Sequence, residues 1–177
     1  MPVTRGIDHV GVTVPDLDAA TDFLVRALDA QVLYDTLPRG QGPKGGPETT
    51  ARLGVPEGTE EVAIRMLRLP GGPGVELFEF RGPRQREPAL PCDVGWQHLA
   101  LYVDDVPAAC AAVRAAGGTV LAEPQPLPGP ESAPRNVFTY CRTPWGSTIE
   151  LLSHPDPMPY EQRTELRRWR PGDGFRH

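Results

Sequence analysis

Two histidines and two glutamates, His9, Glu76, His98 and Glu150, stand in this chain where a cation could be held and a proton moved. Both glutamates sit inside apolar runs, "VELFEF" from position 75 and "TIELLS" from position 148. An unpaired ionised carboxylate costs more in desolvation than strand packing returns, so each needs a partner. A lone strand histidine is more often a hydrogen-bonded core residue than a ligand. A His–Glu pair used twice is different: two imidazoles and two carboxylates suit a divalent transition metal, whose charge offsets the buried carboxylates.

The pairing comes from an internal repeat. "DHVGVTVPDLDAA" lies on "QHLALYVDDVPAA", with His9 on His98 and Asp16 on Asp105; "LPGGPGVELFEF" lies on "TPWGSTIELLSH", with Glu76 on Glu150. His9 and Glu76 are 67 residues apart, His98 and Glu150 52. Most of the excess falls between Val32 and Pro70, so the first half carries a longer loop over about 38–60. That loop is too rich in Gly and Pro for a core element, and long loops of this kind are often functional.

The elements that must position the four residues follow from periodicity. Residues 7–14 alternate as a strand, with Val10, Val12 and Val14 on one face and Ile7, His9, Gly11 and Thr13 on the other. Asp16 then caps a helix whose Leu17, Ala20, Phe23, Leu24, Ala27 and Leu28 keep helical spacing. In the second half Asp104 or Asp105 opens the matching helix, and Gly117-Gly118 closes it. Three strands follow in each half, near 31–36, 61–69 and 74–81, then 119–122, 135–143 and 147–153. The expected unit is βαβββ, written twice, in an α+β chain.

Strand parity puts Glu76 on a face with Phe78 and Phe80, and Glu150 with Thr148 and Leu152; Glu79 points the other way. The same parity makes Thr13, Phe78, Phe80, Trp96 and Tyr102 candidate substrate-lining residues, beside Gly11, Ala100 and Leu152. His154 falls on Phe80 in the repeat, near the mouth of such a pocket. Arg65, Arg68 and Arg142 lie on third strands, where an exposed sheet face is the commoner explanation than a carboxylate site.

Composition narrows the partners. A net charge of −5 argues against an electrostatically driven nucleic-acid partner, and no apolar stretch approaches a membrane span. Cys92, Cys110 and Cys141 are odd in number without C-x-x-C spacing, which points to free thiols in a reducing cytoplasm. "GQGPKGG" lacks a following helix pattern, so a phosphate loop is not expected.

With "IDHVGVTVPDLDAATDFL", "GVELFEF", "WQHLALYVDDV" and "RTPWGSTIELLS" in view, the chain resembles the vicinal oxygen chelate superfamily, which includes glyoxalase I, epimerases, extradiol dioxygenases and bleomycin-resistance proteins. The resemblance implies one domain over 1–154, with modules at about 5–82 and 94–154 forming a cupped eight-stranded mixed sheet, and a C-terminal tail over 155–177. It implies one divalent metal (Zn, Ni, Co, Mn or Fe) on His9, Glu76, His98 and Glu150. A full His-Glu-His-Glu set is closest to glyoxalase I, so the implied activity is a lyase or an isomerase/epimerase acting α to a metal-bound carbonyl. Glu150 is then the first choice for the base and Glu76 the second. An extradiol-type dioxygenase and a non-catalytic antibiotic-binding protein stay open as alternatives. Glu76 weighs against the first, and four intact ligand positions weigh against the second. The resemblance also implies a homodimer acting on a small molecule.

Overall fold

The computed structural model describes residue 4 and residues 6–172. The chain divides into two compact units, the first running essentially to Glu87 and the second from Pro88 onward. Each is a small α+β assembly. His177 and the last residues of the tail lie outside the described residues.

In the first unit β1 (His9–Thr13) leads into α1 (Leu17–Leu28), followed by β2 (Gln31–Leu37), α2 (Pro47–Leu53), β3 (Glu60–Arg68) and β4 (Gly74–Arg81). The sheet order is β1-β4-β3-β2, with β1 parallel to β4 and the other neighbours antiparallel. Asp16 caps α1 as expected, its Oδ1 accepting from the backbone N–H groups of Asp18 and Ala19. Leu17, Ala20, Phe23 and Leu24 of that helix are buried, as are Ala63, Leu67, Val75 and Leu77 of the sheet.

The second unit repeats the pattern with β5 (Leu99–Tyr102), α3 (Val106–Ala115), β6 (Thr119–Val120), β7 (Gln125–Pro126), β8 (Val137–Arg142) and β9 (Thr148–Ser153). Its sheet order is β5-β9-β8-β6, with the short β7 also pairing with β8. Asp105, not Asp104, caps α3 by accepting from Ala108 N–H. Cys110 and Cys141 are buried free thiols. Burial pushes Cys141 up to about 12, so both cysteines act as small apolar residues.

Two local expectations change. The 38–60 stretch is not a bare loop: it contains a 3₁₀ turn at Arg39–Gln41 and the helix α2, which starts on Pro47 and buries Thr49. Proline at the first helical turn costs no hydrogen bond, so Gly and Pro here bound a helix. The sixth strand is two residues long where 119–122 was expected, because the chain leaves β8 after Val120 and returns as β7.

Candidate active site

In both units the histidine opens the first strand's path and the glutamate sits on the last strand beside it. His9 is in register with Gly74 on the parallel β1–β4 ladder, two positions before Glu76. Its Nε2 lies 3.4 Å from Glu76 Oε2. In the second unit His98 immediately precedes β5, and its Nε2 lies 3.1 Å from Glu150 Oε2.

Neighbouring side chains fix what those atoms can do. His9 Nδ1 is 2.7 Å from Asp8 Oδ1, an ionised carboxylate that can only accept, so Nδ1 carries the hydrogen. Gln97 Nε2 donates to Pro91 O at 2.7 Å, which turns Gln97 Oε1 toward His98 Nδ1 at 2.8 Å. There too Nδ1 is the donor. In its neutral form each ring therefore presents an Nε2 lone pair to a carboxylate lone pair at close range. Two acceptors so placed repel unless a cation lies between them, either a proton on the ring or a metal ion. A backing acceptor on the far nitrogen is the usual way to aim a ligating imidazole. Both donor sets thus fit a divalent ion. Among the described residues no three His, Cys, Asp or Glu side chains converge as a metal-binding group; the structure brings the ligand candidates together in twos.

The electrostatics of the pairs differ. The hydrogen bond to Asp8 raises the His9 pKa, opposed by burial and helped by Glu76. Burial raises the Glu150 pKa, partly opposed by His98 and by Arg168 of the tail.

Sequence reasoning passed over three supports for the site. Asp8 and Gln97 stand just before His9 and His98, and their types were the available signal. The third is Gly74: a Cβ there would lie 3.0 Å from Met66 Sδ, 3.2 Å from Leu67 O and 3.3 Å from His9 Cβ. Only glycine lets β1 and β3 crowd β4 this closely beside His9.

The lining candidates are placed as follows. Phe78 and Phe80 stack with centroids 5.7 Å apart and an interplanar angle of 6°. Thr13 is exposed and in register with Phe78. Tyr102 meets His154 edge-on at 4.9 Å, and His98 meets Tyr140 edge-on at 5.3 Å. Trp96 is 100% exposed and precedes β5, so the parity argument, which needs a strand, does not reach it. Glu79 does face away from Glu76, yet it is not a solvated edge residue. Its carboxylate accepts from Leu17 N–H at the start of α1 and holds Arg39 through two bonds. Arg65 also belongs to that helix-covered face, bonded to Asp35, Asp18 and Thr21. Arg68 bonds Gln31, and Arg142 donates to Gly146 O.

Comparison with known proteins agrees with this fold. The Glyoxalase/Bleomycin resistance protein/Dioxygenase superfamily is matched over residues 6–151. A 2-epi-5-epi-valiolone epimerase from an Actinomyces species is 37% identical over 175 residues, covering 97% of this chain and 91% of that protein. Lactoylglutathione lyase of Haemophilus influenzae is 28% identical, covering 82% of this chain and 90% of that protein. Among solved structures, a glyoxalase family protein from Bacillus cereus superposes with TM-score 0.63 at 19% identity, over 86% of this chain and 97% of that one. Glyoxalase I from Zea mays gives 0.59 at 19% identity, over 85% of this chain but 45% of that longer one. These two structures speak to the fold. The chain belongs to the Glyoxalase/Bleomycin resistance protein/Dioxygenase superfamily, on the side of its isomerases and lyases.

Proposed function

We propose that the chain is a divalent-metal-dependent epimerase acting beside the carbonyl of a polyhydroxylated cyclic ketone. His9, Glu76, His98 and Glu150 are the ligand set, and Glu150 is the residue that moves the proton. The observation that carries this reading is the doubled motif in which a histidine, locked by Asp8 or Gln97, aims its Nε2 lone pair at a glutamate oxygen. A four-ligand shell takes both pairs, from one chain or from two copies. The substrate class rests on the Actinomyces relative, which acts by its name on 2-epi-5-epi-valiolone and aligns with nearly the whole chain.

When bound, the ion supplies a Lewis acid that draws electron density from the carbonyl and acidifies the neighbouring C–H. Everything else falls to the protein. Glu150 is the better base because burial raises its pKa, bringing it closer to the range in which a carboxylate removes and returns a carbon-bound proton. Glu76 stays the more open ligand. Phe78, Phe80 and Tyr102 offer apolar faces for ring C–H groups, and Thr13 a hydroxyl. Val32, Leu33 and Tyr34, exposed on the edge strand β2, support a homodimer. The free thiols suit a reducing compartment, and no helix among the described residues is long and apolar enough to cross a membrane.

The test is purified protein with 2-epi-5-epi-valiolone in deuterated buffer. Epimerisation should place deuterium on the inverted carbon, stop on chelation, and return with one of Zn, Ni, Co, Mn or Fe. Full activity in protein shown to be metal-free would overturn the metal. Cleavage of lactoylglutathione instead would move the chain to the lyase branch.

A further inference from the structure

Glu61 is buried, 1% exposed, and the chemistry proposed for the His–Glu pairs does not use it. Its Oε2 accepts from Arg52 Nη2 at 2.8 Å, while its Oε1 is buried with no hydrogen-bond partner among the described residues. An unsatisfied buried carboxylate oxygen is costly, so its persistence asks for an occupant.

The strand register shows which way this carboxylate faces. Met66 pairs with Glu76 and Ile64 with Phe78; then a bulge between Glu61 and Ala63 makes Glu61, not Val62, the partner of Phe80. Directly paired residues project to the same side of a sheet. The helix-covered side is taken by Arg65, which bonds α1, and by Glu79, which receives Leu17 N–H. Glu61 therefore lies on the opposite face, the one that carries His9 and Glu76. Without the bulge it would point to the helix side; bulges commonly re-aim a side chain beside a functional site. Along β4, Phe80 lies four positions beyond Glu76, about 13 Å at the usual strand rise. The stacked Phe78 and Phe80 rings fill the interval.

We propose that Glu61, held by Arg52, is a polar anchor that accepts a hydrogen bond from a substrate hydroxyl and thereby determines specificity for polyhydroxylated rings. Arg52 already neutralises the Glu61 charge, so the free lone pair suits a neutral donor over a second cation, and it rejects an anionic group. An aromatic stack beside it accepts the C–H face of a carbocycle. Both holding groups come from the inserted stretch that the second module lacks. Arg52 belongs to α2, and Lys44 exchanges two backbone hydrogen bonds with Glu61 at 2.9 and 2.8 Å. That stretch is punctuated by Gly42, Gly46 and Gly54 at φ 78°, 94° and 65°, and the assignment requires it to open for a ligand to reach the buried Oε1. This assignment rests on the cyclic-ketone reading above and deepens it.

The experiment uses calorimetric binding of 2-epi-5-epi-valiolone to metal-stripped full-length protein, together with turnover by the metal-loaded enzyme. In Glu61→Gln, Arg52 keeps the amide oxygen and the amide N–H₂ turns toward the ligand, so the substrate hydroxyl loses its charged acceptor and must reorient to accept a weaker neutral bond. Binding to the metal-stripped protein should weaken at least tenfold, and KM should rise by a similar factor. kcat should stay within about threefold, with melting temperature and metal content unchanged. Arg52→Ala, which removes the counter-charge of the buried Glu61 carboxylate and should lower the melting temperature, should shift preference toward the analogue carrying an amine in place of one hydroxyl. Turnover by wild type with an unaltered KM in Glu61→Gln would overturn the anchor while leaving the epimerase reading intact. Wild-type protein that neither binds nor turns over the ketone would overturn both. Binding lost in Glu61→Gln, with no turnover even by wild type, would support the anchor and overturn the reaction.

Discussion

The two units carry the same donor pair in different surroundings. In the first, the His9 and Glu76 side chains are 39% and 17% exposed; in the second, those of His98 and Glu150 are 24% and 10%. The first is backed by an exposed aspartate and the second by an amide already anchored on Pro91. At the far end of the same sheet faces, the first unit has Phe80 and the half-satisfied Glu61. The second has His154 and Asn136, and Asn136 is fully engaged with Glu131 O, Asp156 O and Asp156 N–H. Duplication thus supplied two equivalent His–Glu corners. Later divergence left one more open, with an inserted helix beside it, and the other more buried, with the start of the tail tied across its end. Near-identical ligands can take unequal roles because burial sets what a carboxylate does.

The largest effect that would break this contrast is at the glutamates. Glu150→Gln should lower kcat by about 10²–10⁴-fold, the usual worth of a general base. Glu76→Gln should act mainly through metal affinity, so that added metal restores much of its activity. Equal kcat losses that metal does not rescue would mean that the units share the proton work. The reverse pattern would make Glu76 the base.

The backing residues come next. Asp8→Asn and Gln97→Leu should each weaken metal binding by about 10–100-fold, the usual range for groups that orient a ligating histidine. Gln97→Leu should be the worse, since a leucine cannot accept from Nδ1 whereas an asparagine oxygen still can. Titration with a chelator in competition measures both. Gly74→Ala should cost about 1–3 kcal/mol of stability through overpacking against Leu67 O and His9. The matching place in the second unit already holds Thr148, so Thr148→Ala should be milder, as thermal unfolding would show.

The sequence carried the repeat, the capping aspartates and the strand parity, because these are local and periodic. It could not show that Glu79 ends under α1 instead of in solvent, since that depends on a tertiary contact with Leu17 N–H and Arg39. Nor could it place Glu61. Simple alternation puts that residue on the helix side, and the single bulge at Val62 reverses it. The helix in the 38–60 stretch was hidden by glycines that prove to be its boundaries, Gly46 at one end and Gly54 at the other. Trp96 was read by parity outside the strand that would give parity meaning.

The smallest expected effect separates the two far ends. His154 is buried beside Tyr102, and its Nδ1 has no hydrogen-bond partner among the described residues. Burial lowers its pKa, and the nearby positive charges of Arg170 and Arg168 lower it further, against a weaker pull from Glu131. The unfolded chain therefore binds a proton near pH 6.5 that the folded chain refuses, so stability should fall as pH drops below that value and level off beneath the folded pKa. Glu150, whose pKa is raised, contributes with the opposite sign. Asp35, lowered by its hydrogen bonds to Arg65, loses its contribution only at more acid pH. His154→Phe installs the residue found at the matching place in the first unit. Between pH 7 and 5 the wild type should lose more melting temperature than this variant, while the glutamate and aspartate contributions cancel in the comparison. Parallel pH profiles would show that the second unit's far end is as insensitive to protons as Phe80 makes the first.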